Sequence, residues 1–398
     1  RTKVIWKFAD LLEQHSETFT ELETLNIGLP IGAIRMAHVA GSVDMLRYMA
    51  GWPTKLTGKT VPVSSPGEWH AYTLRDPVGV VAQIVPWNGP LMMAIWKVAP
   101  ALAAGCTIVL KPAEQTPLIA ARAVALLHEA GIPVEALQLL PGDGPGVGAP
   151  LVASPDIAGV CFTGSTAVAK GIERQMAQTA APDAMLIAET GGLNAMVVDS
   201  TALPEQAVRD ILASAFQSAG QRCSALRILY VQKDVERKVV EMLRGAMEAL
   251  VVGDPRTLST DVGPVIDEEA QLSIRAYCEE MEARGKLIAK LDAPADGRFV
   301  ARALMNSLHG GFAGDDVSRE ALKAGLRRQR DERKRIAQPI DRLAITIRIK
   351  PILGRYAIFE HGKLNGEITI PEHATIVRTA LIVASRCFCA FRDFAFAA

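Results

Sequence analysis

The 398-residue sequence has few cysteines, no long apolar run and no net charge. Widely spaced thiols exclude a disulfide framework and offer no metal-ligand spacing, so no metal site is expected. They favour a reducing, cytoplasmic location. Only the last two of the six form a C-x-C pair: Cys106, Cys161, Cys223, Cys278, Cys387 and Cys389.

The most apolar stretch, Leu91 to Leu110, contains Lys97 and Pro100. It therefore falls short of the roughly 18 uncharged residues that a membrane-spanning helix needs, which predicts a soluble protein. The chain opens at Arg1 without a signal peptide and with a helical pattern already under way, as expected for a piece of a longer protein.

The zero net charge hides an uneven distribution. Residues 1–300 hold 26 Lys and Arg against 33 Asp and Glu, whereas residues 301–398 hold 17 against 10. At 100 to 200 residues per domain, the length allows roughly two to three domains. The change of charge near residue 300 predicts a boundary there.

A strict alternation of strands and helices follows two amphipathic helical segments at Thr2–Thr24 and Ile31–Met49. Between residues 78 and 188, short runs rich in β-branched residues alternate with helical periodicity. This pattern is typical of a doubly wound parallel sheet in an α/β fold. Ligands of such sheets bind beyond the carboxyl ends of the strands.

The alternation continues in residues 191–300 and fails after Arg298. We therefore predict a domain at 1–190, a second α/β unit at 191–300 and an unassigned basic tail at 301–398. In the tail, Ser318–Ile336 is a basic helical stretch that could contact nucleic acid or form a solvated helix. A solvated helix, or sequence translated from a shifted frame, fits better, because no recognition motif accompanies it.

Two joints between strands and helices could hold phosphate. Gly142–Ala149 contains G-x-G-x-x-A, which is either a dinucleotide fingerprint or a tight turn. Phe162-Thr-Gly-Ser-Thr166 ends a strand and opens a helix, with Ser165 as N-cap, so its backbone N–H groups could bind phosphate or simply cap the helix.

Lys111-Pro-Ala-Glu114 follows another strand. A carboxylate and an ammonium group there could bind the two ribose hydroxyls of an adenosine, and the carboxylate would repel a 2′-phosphate, which favours NAD over NADP. A solvated Lys–Glu pair is the alternative.

Three residues could carry chemistry. Cys223 lies beside Arg222 in a loop of small residues, and a neighbouring cation activates a thiol as a nucleophile. Glu189 ends a strand before two glycines, where a carboxylate can act as general base. Asn88, between two prolines, could stabilise an oxyanion or form an Asx-turn.

Along the chain, five motifs follow one another in the order P-W-N, K-P-A-E, F-T-G-S-T, E-x-G-G and G-Q-x-C. In that order and at that spacing, residues 1–300 resemble the aldehyde dehydrogenase superfamily. Residues 111–266 resemble one branch, the L-glutamate γ-semialdehyde dehydrogenase half of bifunctional proline utilization A, while residues 1–105 resemble ordinary aliphatic or aromatic aldehyde dehydrogenases. Residues 301–398 resemble nothing recognised.

The resemblance implies the aldehyde dehydrogenase fold, with an NAD domain and a truncated catalytic domain, and an NAD-dependent oxidation. Cys223 would attack the aldehyde, Asn88 and the Cys223 N–H would hold the oxyanion, and Glu189 would activate water for thioester hydrolysis. Cofactor contacts would come from Pro86, Trp87, Lys111, Glu114, Gly164 and Ser165.

Ser224 resembles the contact that this branch makes to the substrate carboxylate. The implied substrate is L-glutamate γ-semialdehyde in proline catabolism. A broad aliphatic or aromatic aldehyde dehydrogenase, and an inactive nucleotide-binding fragment, are the alternatives. The superfamily forms homo-oligomers.

The sequence departs from the family in two ways. Gly89 stands where the family usually has phenylalanine after P-W-N, which would loosen the nicotinamide end. The family's E-x-F-G-P segment, its carboxyl-terminal substrate loop and its oligomerisation strand have no counterpart.

Overall fold

The computed structural model describes residues 1–306, 345–349, 355–360 and 363–369. None of the helices in these ranges is both long and apolar enough to cross a bilayer. The described residues form eleven α-helices: α1 (Thr2–Gln14), α2 (Ser16–Ile27), α3 (Ile31–Ala33), α4 (Ala40–Ala50), α5 (Pro90–Ala104), α6 (Pro117–Ala130), α7 (Ala149–Ala153), α8 (Thr166–Thr179), α9 (Pro204–Ala215), α10 (Lys233–Glu248) and α11 (Glu268–Ala283).

Short helices of other types complete the set. π-helical turns at Ile34–Val39 and Gly144–Gly148 lead into α4 and α7, and a 3₁₀ turn lies at Val134–Ala136. The strands of the described ranges are β1 (Thr60–Val61), β2 (Ala71–Tyr72), β3 (Val80–Ile84), β4 (Thr107–Lys111), β5 (Leu137–Leu139), β6 (Gly159–Gly164), β7 (Met185–Thr190), β8 (Asn194–Val198), β9 (Leu226–Gln232), β10 (Leu287–Leu291), β11 (Arg302–Asn306), β12 (Ile345–Ile349), β13 (Arg355–Glu360) and β14 (Lys363–Thr369).

The first sheet has the order β5-β4-β3-β6-β7, and all of its neighbouring strands are parallel. The chain builds outward from β3 in one direction and then returns to add β6 and β7 on its other side. This is the predicted doubly wound topology. The reversal between β3 and β6 creates a crevice, which is where such sheets bind ligands.

Helices cover both faces of this sheet because successive side chains of β3 point to opposite sides. Val81 packs in one core cluster with α1, α4, α5 and α6, and Ala82 packs in another with α7 and α8. Both side chains are fully buried. The near-continuous apolar strand in the sequence reflects this two-sided burial.

The amino-terminal helical pattern breaks once, contrary to the prediction of one helix over Thr2–Thr24. His15 leaves helical geometry with φ −97° and ψ 16°, which separates α1 from α2. The change of direction allows Phe8 of α1 and Phe19 of α2 to be fully buried in the same core cluster. Tertiary packing therefore determines this break.

The second sheet has the order β10-β11-β12-β9-β8, in which β10 and β11 are antiparallel and the other neighbours are parallel. Helices α9, α10 and α11 contribute to its core. Strand β11 lies beyond the boundary that we predicted at residue 300, and β12 pairs with β9 from within the predicted tail. The loss of alternation after Arg298 therefore does not mark the end of this sheet.

A separate two-stranded antiparallel ribbon of β1 and β2 precedes the first sheet. Its side chains are largely exposed, including large apolar ones. The ribbon and the segments beside it carry exposed apolar side chains at Val61, Val63, Trp69, Tyr72 and Leu74.

Candidate active site

The parallel first sheet brings four of the predicted site residues to one edge. Asn88 follows β3, Lys111 ends β4, Ser165 follows β6 and Glu189 is the penultimate residue of β7. Because all of these strands run in the same direction, their carboxyl ends share this edge. Asn88 and Ser165 lie at the crevice between β3 and β6.

Lys111 and Glu114 form the predicted pair. The Lys111 side chain is nearly buried, and its Nζ donates to the Glu114 carboxylate at 3.3 Å and to the Pro112 carbonyl at 3.1 Å. Glu114 is exposed, with 53% of its side chain accessible. An ammonium group held beneath an accessible carboxylate offers both a donor and an acceptor to a diol.

Ser165 caps α8, since its Oγ accepts a hydrogen bond from the Val168 N–H at 3.2 Å. The 14-residue helix begins at the sheet edge, so its N-terminal N–H groups and dipole favour an anion there. Gly164 precedes it at a position where a Cβ would lie 2.4 Å from the Phe162 ring. Any larger residue at this position would displace the Phe162 ring.

Asn88 links the first sheet to the loop of Cys223. It lies with Pro86 and Trp87 in the connection between β3 and α5, and its Nδ2 donates to the Gln221 carbonyl at 2.8 Å. A primary amide has two N–H donors, so Asn88 can hold this loop and still donate to an oxyanion. The contact spans 133 positions of the chain and brings Asn88 next to the loop that carries Cys223.

Gln221 anchors the same loop from its other side. Its Nε2 donates to the carbonyls of Ser218 and Pro264, and its Oε1 accepts from the Ile266 N–H at 2.8 Å. Just before it, Ala219 and Gly220 have φ of 51° and 74°, and Ala219 is the non-glycine residue in the described ranges with positive φ. Such strain is sustained only where surrounding contacts overdetermine the backbone.

Cys223 is partly exposed, in contrast to the other three cysteines that the structure describes. Burial raises the pKa of the thiols of Cys106, Cys161 and Cys278 above its usual range. These three thiols therefore remain protonated and inaccessible at neutral pH. Among the described cysteines, Cys223 alone combines exposure with a place in the anchored loop.

Arg222 lies immediately before the candidate nucleophile. Burial lowers the pKa of its guanidinium, and the nearby positive charge of Arg227 acts in the same direction. Its Nη2 donates to the carbonyls of Ala213 and Ser214 at the end of α9. The Arg222 guanidinium is therefore bonded to the end of α9, and its activation of the Cys223 thiol stays a prediction.

Glu189 lies beside a buried polar group that sequence reasoning missed. Lys97 of α5 is 1% exposed, and its Nζ donates to Thr163 Oγ1 at 2.7 Å. Thr163 is the partner of Glu189 in the pairing of β6 with β7. Burial is the main cause of the raised pKa of the Cys161 thiol, and the negative charge of Glu189 raises it further. A lysine within an otherwise apolar helix was the signal that could have identified this group.

The remaining predicted features are Ser224, the glycine-rich joint and the features of the carboxyl-terminal tail. Ser224 lies in the turn after Cys223. In Gly142–Ala149, Asp143 Oδ1 accepts from the Gly146 N–H and a π-helical turn leads into α7, so this joint is a capped turn in the structure. The basic stretch Ser318–Ile336 and the pair Cys387 and Cys389 lie outside the described residues.

Comparison with known proteins identifies the family to which the chain belongs. Residues 1–308 match the model of the aldehyde dehydrogenase family. The chain belongs to the aldehyde dehydrogenase family. The predicted family and α/β fold are thereby confirmed, and the match extends through β11.

Three relatives illustrate the range of similarity. The bifunctional protein PutA of Klebsiella aerogenes is 45% identical over 291 residues, which are 72% of this chain and 21% of PutA. Phenylacetaldehyde dehydrogenase of Pseudomonas fluorescens is 41% identical over 273 residues, or 68% of this chain and 54% of that protein. An NAD⁺ complex of an aldehyde dehydrogenase from Bacillus cereus is 33% identical with a TM-score of 0.77, covering 88% of this chain and 67% of that one.

The chain thus spans about a fifth of the length of the PutA relative. The enzyme class predicted from the sequence, an aldehyde dehydrogenase, is that of the matched family. The solved NAD⁺ complex supports the prediction of NAD as cofactor.

Proposed function

We propose that this chain is the dehydrogenase part of an enzyme that oxidises an aldehyde to a carboxylic acid with NAD. The observation that carries the proposal is the contact of the Asn88 amide with the loop of Cys223. The contact brings the Asn88 amide from the first sheet next to the loop that carries Cys223, and this proximity supports the roles of oxyanion donor and nucleophile that we propose for the two residues.

Cys223 starts the reaction. Its thiolate attacks the aldehyde carbon, which forms a C–S bond and places negative charge on the former carbonyl oxygen. The Asn88 amide and the Cys223 backbone N–H donate to that oxygen. Donors fixed in advance by the fold are worth much more in such a site than in water.

Lys111, Glu114 and Ser165 would hold NAD at the sheet edge, and NAD there would supply the acceptor for the hydride that leaves the reacting carbon. The product on the protein is then a thioester of Cys223. Glu189 acts as general base: it takes a proton from water, which attacks the thioester carbon, and the C–S bond breaks to release the acid and the Cys223 thiolate. A carboxylate at the edge of β7 lies on the same sheet edge as Asn88.

The residues at the sheet edge fit the adenosine half of NAD. Lys111 and Glu114 would bind the ribose hydroxyls, and Ser165 with Gly164 would accommodate the pyrophosphate at the start of α8. Pro86 and Trp87 would line the same crevice. The exposed Glu114 carboxylate would repel a 2′-phosphate, which favours NAD over NADP.

We propose L-glutamate γ-semialdehyde as the substrate, in proline catabolism, with Ser224 as a contact to its carboxylate. The PutA relative supports this choice. The Pseudomonas relative is named for phenylacetaldehyde, which supports a broad aliphatic or aromatic aldehyde dehydrogenase as the second candidate.

Three wider properties belong to the same proposal. Residues 1–190 would form the NAD-binding domain and the part after 190 the catalytic one, as the two sheets suggest. The free thiols outside the site suit a reducing compartment such as the cytoplasm. The exposed apolar ribbon of β1 and β2 supports self-association.

The test is NADH absorbance when the purified chain is mixed with NAD and L-glutamate γ-semialdehyde, with propionaldehyde and benzaldehyde in parallel. Cys223→Ala should abolish NADH formation and leave NAD binding unchanged, because the thiol reacts with the aldehyde and not with the cofactor. Cys278→Ala is the matched control, since Cys278 is buried in the second core.

The outcomes separate the candidates. Faster turnover of the semialdehyde than of the other aldehydes supports the proposed substrate, and the reverse order supports the second candidate. NAD binding by folded protein without NADH formation from any aldehyde would indicate a nucleotide-binding fragment and contradict the proposal.

A further inference from the structure

The backbone around Cys223 is a short turn whose carbonyls are held by side chains. The Ala225 N–H donates to the Arg222 carbonyl at 3.1 Å and closes the turn. Asn194 Nδ2 donates to the Cys223 carbonyl at 2.6 Å and to the Ala225 carbonyl at 2.9 Å. Arg227 Nη2 donates to the Arg222 carbonyl at 3.1 Å.

These bonds fix the two peptide planes that meet at Cys223. In a trans peptide the C=O and N–H point in opposite directions, so a donor on the carbonyl also sets the direction of the N–H. Arg227 fixes the plane that carries the Cys223 N–H, and Asn194 fixes the plane that follows it. Two fixed planes at one Cα determine the direction of its Cα–Cβ bond, and Sγ then takes one of the staggered positions about that bond.

A bulge between β8 and β9 places both side chains next to the turn. Asn194 pairs with Leu226, but Ala195 pairs with Ile228, so Arg227 is an extra residue on β9. Bulges are frequent beside active sites because they redirect a side chain. Here the irregularity involves the two residues whose side chains bond to the turn.

We propose that Asn194 is a positioning residue for Cys223. It holds the Cys223 carbonyl, on the far side of the Cys223 Cα, while Arg227 holds the plane that carries the backbone N–H, and together they keep this N–H facing the carbonyl that the thiol attacks. The role rests on the proposed function, in which that N–H is an oxyanion donor. We therefore expect a substitution of Asn194 to slow reactions of Cys223 that pass through an oxyanion much more than reactions that form none.

Two reagents separate these cases without NAD. With p-nitrophenyl acetate, the Cys223 thiolate attacks the ester carbon, a C–S bond forms through an oxyanion, and p-nitrophenolate leaves as the C–O bond breaks. With iodoacetamide, the same sulfur displaces iodide and no oxyanion forms. Mass analysis of the peptide that carries Cys223 gives the rate of each modification at this thiol.

Asn194→Asp keeps the size of the side chain but removes the donors, and Asn194→Ala removes the side chain. We expect either change to slow acylation of Cys223 by about tenfold or more, because small displacements of an oxyanion donor are costly. Alkylation by iodoacetamide should change by less than about threefold, since it depends on the thiolate alone. Asn194→Gln, which retains an amide, should give an intermediate ratio.

Asn26→Ala is the matched control. Asn26 is also partly buried, and its amide also donates to a backbone carbonyl, that of Leu22 at 2.9 Å, but it lies in α2, a helix whose buried side chains belong to the core of the first sheet. Both rates should match those of the unmodified chain. Circular dichroism confirms that each variant compared is folded.

A selective loss of acylation supports the inference. Equal rates in Asn194→Asp and the unmodified chain would overturn it, and so would an equal loss of both reactions, which indicates a merely structural role. If the Asp and Ala variants do not fold, the same comparison with Asn194→Gln decides. Failure of the unmodified chain to acylate at Cys223 would also overturn the inference.

NADH formation from an aldehyde is measured on the same samples. Acylation that depends on Asn194 in a chain that forms no NADH supports the positioning role and contradicts the proposed function. NADH formation with acylation indifferent to Asn194 supports the proposed function and contradicts the positioning role.

Discussion

At the scale of single residues, the thiols of this chain differ in reactivity because of where they lie. Cys106, Cys161 and Cys278 are buried, and burial raises the pKa of each above its usual range. A raised pKa lowers the thiolate fraction at any pH below it. Cys223 is partly exposed in an anchored turn.

We therefore expect iodoacetamide at pH 8 to label Cys223 well before these three thiols, as measured by peptide mass analysis. In guanidinium chloride the four should react at similar rates, because unfolding removes both the burial and the pKa difference. Labelling of Cys161 in the folded chain as fast as Cys223 would contradict this assignment.

Glu189→Gln tests the proposed general base. The amide cannot take a proton from water, so the Cys223 thioester should accumulate. We expect a burst of about one NADH per chain followed by turnover that is about 10² to 10⁴ slower. Stopped-flow absorbance measures both phases.

Hydroxylamine is the control for Glu189→Gln, because it cleaves a thioester without a general base and should restore turnover. Steady turnover at the original rate, with no burst, would show that Glu189 is not the general base for thioester hydrolysis. Loss of both the burst and the turnover would show that Glu189 is needed for a step that precedes formation of the thioester.

At the scale of secondary-structure elements, close backbone contacts join distant parts of the chain. Gly28 ends α2 with φ 71°, and Gly263 precedes α11. A Cβ at Gly263 would lie 1.8 Å from the Gly28 carbonyl oxygen. Nearby, the Ile31 N–H donates to the Pro255 carbonyl at 2.8 Å. The amino-terminal helices therefore pack directly against the segment before α11.

Gly263→Ala should lower the free energy of unfolding by about 1 to 3 kcal/mol, because the backbone must move to admit the methyl group. Gly245→Ala is the matched control: a Cβ there meets nothing within 4 Å, and alanine favours the helix. Thermal unfolding followed by circular dichroism should move the two midpoints in opposite directions. A midpoint unchanged by Gly263→Ala would contradict the close contact.

At the scale of the whole molecule, the ribbon of β1 and β2 and the segments beside it expose several large apolar side chains. Trp69, Tyr72 and Leu74 are 65%, 58% and 69% exposed. Clustered exposed apolar side chains mark interaction surfaces more often than scattered ones. A second copy of the chain is the expected partner.

The double variant Trp69→Lys and Tyr72→Glu should shift the chain toward the monomer in size-exclusion chromatography with light scattering. Leu258→Lys is the control, because Leu258 is 78% exposed but lies apart from the ribbon along the chain. A monomeric unmodified chain at micromolar concentration would contradict the predicted self-association.

Local patterns in the sequence were enough to predict the parallel first sheet and the residues that lie at its edge. The alternation of runs between residues 78 and 188 predicted strands and helices in turn, and the structure has β3 to β7 alternating with α5 to α8 there. The motifs also predicted Asn88, Glu189 and Cys223, because these residue types occur at strand ends and in a small-residue loop. Local periodicity and local chemistry carried this information.

Tertiary structure alone decided the contacts between distant positions. The sequence placed Lys97 in an apolar stretch but did not show its bond to Thr163, 66 residues away. It predicted Cys223 but not that Asn194 holds its carbonyl, and it ended the second sheet before β11. Pairing, burial and side-chain direction depend on which segments meet in space, and spacing along the chain does not contain that information.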